Sequence, residues 1–112
     1  MNKNDIFNSY TLKQDKIEVP SWGGEVTIQE LSAGAVSKLQ ATEGDALKAA
    51  ATIIVHGVVG EDGKKIFTPA DIDKILDRIS VTDLNMISEE ILKLSDMFNA
   101  EEVEGEASEG EA

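Results

Sequence analysis

Apolar and polar residues alternate with period two in Lys16-Ile17-Glu18-Val19 and again in Glu25-Val26-Thr27-Ile28-Gln29. Between them, Pro20-Ser21-Trp22-Gly23-Gly24 supplies turn chemistry. The pattern predicts a β-hairpin with Ile17, Val19, Val26 and Ile28 on one face. Two short strands are marginal in water by themselves, so helices must cover that face. Residues 1 to 13 show no sustained period, although Ile6, Phe7, Tyr10 and Leu12 are apolar enough to dock somewhere, and they are read as an N-terminal arm.

Beyond the hairpin the period changes to three and four. Ser32 can cap a first helix, with Leu31 and Val36 placed as a hydrophobic staple, and this helix ends near Thr42-Glu43-Gly44. Asp45 opens a second helix through about Gly57, with Leu47, Ala50, Ala51, Ile54 and Val58 at helical spacing. Its stretch from Ala49 to Val55 is apolar nearly all round, the signature of a helix central to the fold or covered by another subunit. Glu61-Asp62-Gly63-Lys64 reads as a turn between short extended arms at Val58-Val59 and Ile66-Phe67. Thr68-Pro69-Ala70-Asp71 starts a third helix with Ile72, Ile75, Leu76 and Ile79 on one face. Ser80-Val81-Thr82-Asp83 interrupts and caps again, and a last helix, from about Asp83 to Phe98, repeats Leu84, Ile87, Ile91, Leu94 and Phe98 at alternating steps of three and four, the spacing of helices that pack lengthwise. The expected fold is mainly α (α+β): about four helices with a short N-terminal β-hairpin over residues 14–99, preceded by the arm.

The segment Glu101 to Ala112, EEVEGEASEGEA, carries six Glu, no base and one large apolar residue. It cannot bury enough surface to offset its ordering entropy, so residues 100–112 are expected to form a disordered acidic tail. It serves as a solubilising terminus, a flexible region before something appended, or a mimic of a polyanion. Of the net charge of -12, half belongs to this tail; residues 1–100 hold 16 acids and 10 bases. Such a balance disfavours partners recognised through phosphate contacts or anionic lipid, so neither nucleic acid nor a membrane is expected. No run of 18 apolar residues and no apolar signal core follow the start, which predicts a soluble, cytoplasmic protein. With 112 residues, 41% hydrophobic and 4% aromatic, the chain supports one modest aliphatic core.

Candidate chemistry is sparse. Cysteine is absent, which excludes thiolate sites, and a lone histidine, His56, excludes chemistry needing two imidazoles. Gly60-Glu61-Asp62-Gly63-Lys64-Lys65 fails as a phosphate loop, since five residues rather than four lie between Gly57 and Gly63 and Lys65 stands where the hydroxyl belongs. With Gly63 at the sixth position of a calcium loop, Val58, Gly60 and Pro69 fall where acids are required. His56 reads as an interior or helix-end histidine bonded to backbone, and Asp71, Asp73 and Asp77 with Lys74 and Arg78 as a solvated, charge-laced face. No catalytic, cofactor or metal site is therefore expected. Trp22 either caps the edge of the core or anchors an interface. The seam from Leu84 to Phe98 either belongs to the core or supports self-association.

The order Ile17-Glu18-Val19-Pro20-Ser21-Trp22-Gly23-Gly24-Glu25-Val26, then Ile28-Gln29-Glu30-Leu31, resembles the start of tail assembly chaperones of long-tailed (siphovirus-type) bacteriophages and prophages. So does the stretch Val58 to Leu76, where Glu61-Asp62-Gly63-Lys64 precedes Ile66-Phe67 and Asp71-Ile72. The resemblance runs from about Lys16 to Leu94 and carries no binding motif that transfers residue by residue. It implies a non-enzymatic factor without cofactors that coats the tape measure protein in the host cytoplasm, self-associates, and is absent from the finished virion. It further implies a frameshift-extended form that recruits the major tail protein. An apolar strip on the second and fourth helices would receive an amphipathic stretch of client, with Trp22, Ile54, Ile87, Ile91, Leu94 and Phe98 as candidate protein-binding residues. The competing reading is an acidic DNA-mimic inhibitor of a DNA-binding protein, or a generic helical interaction subunit.

Overall fold

The computed structural model describes residues 1–97. Its elements are α1 (Lys3–Ser9), β1 (Gln14–Val19), β2 (Gly24–Gln29), α2 (Ala33–Gln40), α3 (Ala46–Gly57), β3 (Val58–Val59), α4 (Ile72–Arg78) and α5 (Val81–Leu94), with 3-10 turns at Pro20–Trp22 and Pro69–Asp71. The expected acidic tail and Phe98 lie outside the described residues.

The hairpin forms in the predicted register, Ile17 opposite Val26 and Val19 opposite Gly24, so Ile17, Val19, Val26 and Ile28 share the inner face. Gly23 closes its turn in the left-handed region at φ 88°, which only glycine adopts without penalty. The sheet has a third strand. On leaving α3 the chain pairs at once with β2, Val58 opposite Ile28 and Val59 opposite Thr27, giving the antiparallel order β1-β2-β3.

Four helices were expected, and five α-helices are present among the described residues. The additional one is α1, inside the arm. Asn2 caps it: the Asn2 side chain accepts from Asp5 N–H at 2.9 Å, and the Asp5 carboxylate accepts from Asn2 N–H at 3.3 Å. Other helix starts follow the sequence. Ser32, Asp45 and Ser80 each accept a first-turn backbone N–H, from Ala35, Lys48 and Asp83 respectively, and Asp71 accepts from Thr68 N–H at 2.8 Å.

Helix α3 is the centre of the molecule. Ala50 to Val55 and Gly57 are buried, enclosed by α2, α4, α5 and β2. Buried Thr52 satisfies its hydroxyl by donating to the Lys48 carbonyl at 2.8 Å. Leu47, assigned to the apolar side of this helix, is instead 49% exposed, because the first turn projects beyond its neighbours. Leu84, Ile87 and Ile91 of α5 pack into the same core, which is aliphatic as the composition requires. At the end of α3, a Cβ built on Gly57 would lie 2.6 Å from both Cδ1 and Cγ2 of Ile91 on α5.

Helix α5 stops at Leu94, short of the expected Phe98. Asp96 takes the left-handed conformation at φ 61°, Met97 N–H donates to the Leu92 carbonyl and Asp96 N–H to that of Lys93, a Schellman stop with aspartate in the glycine position. The Ser95 hydroxyl donates to the Ile91 carbonyl and accepts from Leu31 N–H, both at 2.8 Å, fastening the helix end to the β2–α2 junction.

Two stability outcomes follow. Gly57→Ala should destabilise by about 1–3 kcal/mol in denaturant titration despite its better helix propensity, and become neutral or stabilising in an Ile91→Ala background. Asp96→Gly should raise the midpoint, by roughly 0.5–1 kcal/mol, because glycine enters the left-handed region without Cβ strain.

Candidate protein-binding surfaces

Ile54, Ile87 and Ile91, three of the residues proposed for partner contact, are fully buried in the core, with relative exposures of 0%. Leu94 is half-buried at the end of α5 and packs against the same cluster. What opens to the surface between α3 and α5 is the adjacent stripe of each helix. Ala49, Ile53 and Leu92, with Leu39 of α2, floor a broad hollow of about 940 Å³ whose rim carries Glu43 and Asp45. Ile53 and Leu92 each stand one position from a residue proposed for partner contact, and most of the rest of the hollow is lined from α2 and the α2–α3 loop. The polar row Lys48, Thr52 and His56 marks one side of α3, but Ile53 and Ile54 both stand among apolar neighbours and are 5% and 0% exposed, so periodicity does not separate them.

Trp22 is half-buried and caps the edge of the core. It packs against the core cluster, and its ring stands edge-to-face on Phe67, centroids 6.4 Å apart and planes at 68°. The pair forms a ridge between two grooves. On one side lies a hollow of about 470 Å³ against Ile75 and Ile79, with Asp71, Lys74 and Arg78 at its margin. On the other lies one of about 320 Å³ against Val26, Val59 and Ile66. Phe67 is the residue that sequence reasoning did not single out here. Its pairing with Trp22 is a contact across 45 residues that local spacing does not reveal.

His56 lies near the C-terminal end of α3 beside a small hollow of about 240 Å³ bordered by Lys38, Lys48 and Pro69. The expected bond to backbone is not made: its Nδ1 is buried and has no partner among the described residues. Burial first, then the charges of Lys65 and Lys38, hold its pKa below the ordinary 6.5. Among the described residues that line this hollow, Thr52 spends its hydroxyl proton on the Lys48 carbonyl and there is no Asp or Glu. Among the described residues no three His, Asp or Glu side chains converge as metal ligands, and no helix is long and apolar enough to cross a membrane.

The surfaces that stand out are therefore apolar hollows with charged rims. A solved structure, the tail assembly chaperone of bacteriophage HK97, superposes on this chain with a TM-score of 0.62 over 74% of this chain and 85% of that one, at 16% sequence identity. The chain has the fold of a phage tail assembly chaperone. At that identity the likeness concerns backbone architecture rather than individual contact residues. No protein-family model and no curated protein matches the sequence.

Because the folded state lowers the pKa of His56, the unfolded chain takes up the proton first. Stability is then complete above about pH 6.5 and declines as pH falls through the folded value. Urea midpoints of wild type and His56→Gln should diverge in this sense below pH 6.5 and run parallel above it.

Proposed function

We propose that this protein is a non-enzymatic chaperone of phage tail assembly that shields an amphipathic helical client, the tape measure protein, until the tail tube forms around it. The shared fold with the HK97 chaperone is the observation that carries this reading. The α3–α5 hollow supplies its chemistry: an apolar floor of Ala49, Ile53 and Leu92 receives side chains at helical spacing, while Glu43 and Asp45 favour a client with Lys or Arg flanking its apolar stripe. Ile54, Ile87 and Ile91 act from beneath, holding the floor in place, and Leu94 stands at the end of the same helix. The excess of acids keeps loaded complexes apart in solution. Contacts of this kind are individually weak, and several copies along one long client would gain avidity.

The reading places the protein in the host cytoplasm and outside the mature virion. The acidic segment 101–112 would suit a tether to a frameshift-extended form that meets the major tail protein.

Co-expression with the tape measure protein should move that protein from the insoluble to the soluble fraction, and an unchanged distribution would refute the chaperone role. Leu92→Glu, checked for native far-UV circular dichroism, should reduce this rescue at least tenfold. Full rescue by the folded variant would instead remove the client from the α3–α5 hollow.

A further inference from the structure

We propose that the hollow between α2, α3 and the Pro69 turn is a docking site for the acidic segment 101–104 of the same chain, with Val103 on its apolar floor and the carboxylates on its lysines. The floor is Ala41, Val55, Pro69 and Ile72, and Lys38, Lys48 and His56 complete the lining. At about 240 Å³ the hollow admits an aliphatic side chain but not a helix, which sets it apart from the larger one assigned to the client. Ala49, Ile53 and Leu92 have no part in it, so either assignment can fail without the other.

The charge of this hollow runs against that of the chain. In a protein with 22 acids and 10 bases, no Asp or Glu is among the described residues that line it. Lys38 and Lys48 are exposed, and neither is ion-paired among the described residues. Acids close by in sequence are committed elsewhere: Glu43 borders the α3–α5 hollow, the Asp45 carboxylate accepts from Lys48 N–H, and that of Asp71 from Thr68 N–H. The hydroxyls of Thr42 and Thr52 donate to the Leu39 and Lys48 carbonyls, which leaves the two ammonium groups as donors for a ligand. Burial, then the charges of Lys65 and Lys38, lower the pKa of His56, so positive charge dominates here. Unpaired lysines around an apolar floor suit a carboxylate carried next to an aliphatic side chain.

The chain carries that combination near its end. From Glu101 to Ala112, Val103 is the one large apolar residue, and Glu101, Glu102 and Glu104 surround it. The reach suffices. The Ser95 hydroxyl accepts from Leu31 N–H at 2.8 Å, which fixes the end of α5 beside the start of α2. Lys38 stands six residues past the Ser32 cap, roughly 15 Å from that bond at about 1.5 Å per helical residue. The six residues that follow Met97 end at Val103 and span up to about 20 Å when extended. So short a tether presents the segment to its own hollow at roughly millimolar effective concentration, which populates a contact too weak to form between separate chains. Salt screens exposed charge pairs, so the docking weakens as ionic strength rises.

The chain has no cysteine, so a nitroxide attached to Ala107→Cys in the full chain has one known position. It should broaden the amide signals of Lys38, Ala41 and Thr52. That broadening should fall by roughly threefold or more when Glu101, Glu102 and Glu104 are all changed to Gln, and equally when Lys38→Glu and Lys48→Glu are combined. Broadening that is absent, or unchanged by either set of substitutions, overturns the proposal. In a mixture of isotope-labelled chains without nitroxide and unlabelled chains bearing it, broadening at the hollow would mean a tail from a second copy, which overturns it too. His56 is the lone histidine, and its ring signal provides a separate readout. Docked carboxylates favour the imidazolium, so the three Glu→Gln changes should lower the pKa of His56. Those changes touch nothing in the folded core, and an identical pKa in the two proteins would refute the docking.

Discussion

The close approach of α3 and α5 at Gly57 and Ile91 is the constraint on which the remaining architecture depends. A helix buried on every side needs neighbours that come near its backbone, and Gly57 permits this by leaving the space a side chain would fill to the branched side chain of Ile91. The stiffness of a β-branched residue in a helix makes the contact specific, since Ile91 has few rotamers into which to retreat. Because Gly57 is also the last residue of α3, the same point sets where the chain leaves the helix and enters β3. Helix packing and sheet order are thus coupled through one position.

That coupling explains why the hairpin lies where it does. Pairing of Val58 with Ile28 draws the inner face of β2 over α3, and the Ser95 hydroxyl ties the far end of α5 to Leu31 just beyond β2. Sheet and helices therefore close around an aliphatic core, while the aromatic pair Trp22–Phe67 is left at its edge. Large rings at a periphery create ridges and hollows that small aliphatic side chains would not. The surface features relevant to binding are accordingly by-products of a core too aliphatic to absorb its aromatics.

Polar chemistry points the same way. His56, the residue with the most distinctive electrostatic setting, is depressed in pKa by burial and by lysines, and lacks a hydrogen-bond partner at Nδ1. It contributes a pH-dependent cost to folding. The other surface features that stand out are apolar hollows with charged rims.

Much of this was legible locally. Alternation gave the hairpin and its inner face, Ser32, Asp45, Thr68 and Ser80 marked helix starts through side chains acting within one turn, and the all-round apolar run of α3 announced its central place. The Asn2–Asp5 pair that caps α1 was present in the sequence as well, but a helix so short leaves no periodicity to accompany it. Three matters were decided only in the tertiary structure: the pairing of the extended arm Val58-Val59 with β2, the end of α5 at a left-handed Asp96, and which residues of α3 and α5 line the hollow. Caps, turns and periods depend on residues within a few positions of each other, and the sequence determines them directly. Strand pairing, the aromatic ridge and the choice between Ile53 and Ile54 depend on residues far apart in the chain, whose positions exist only once the core has closed.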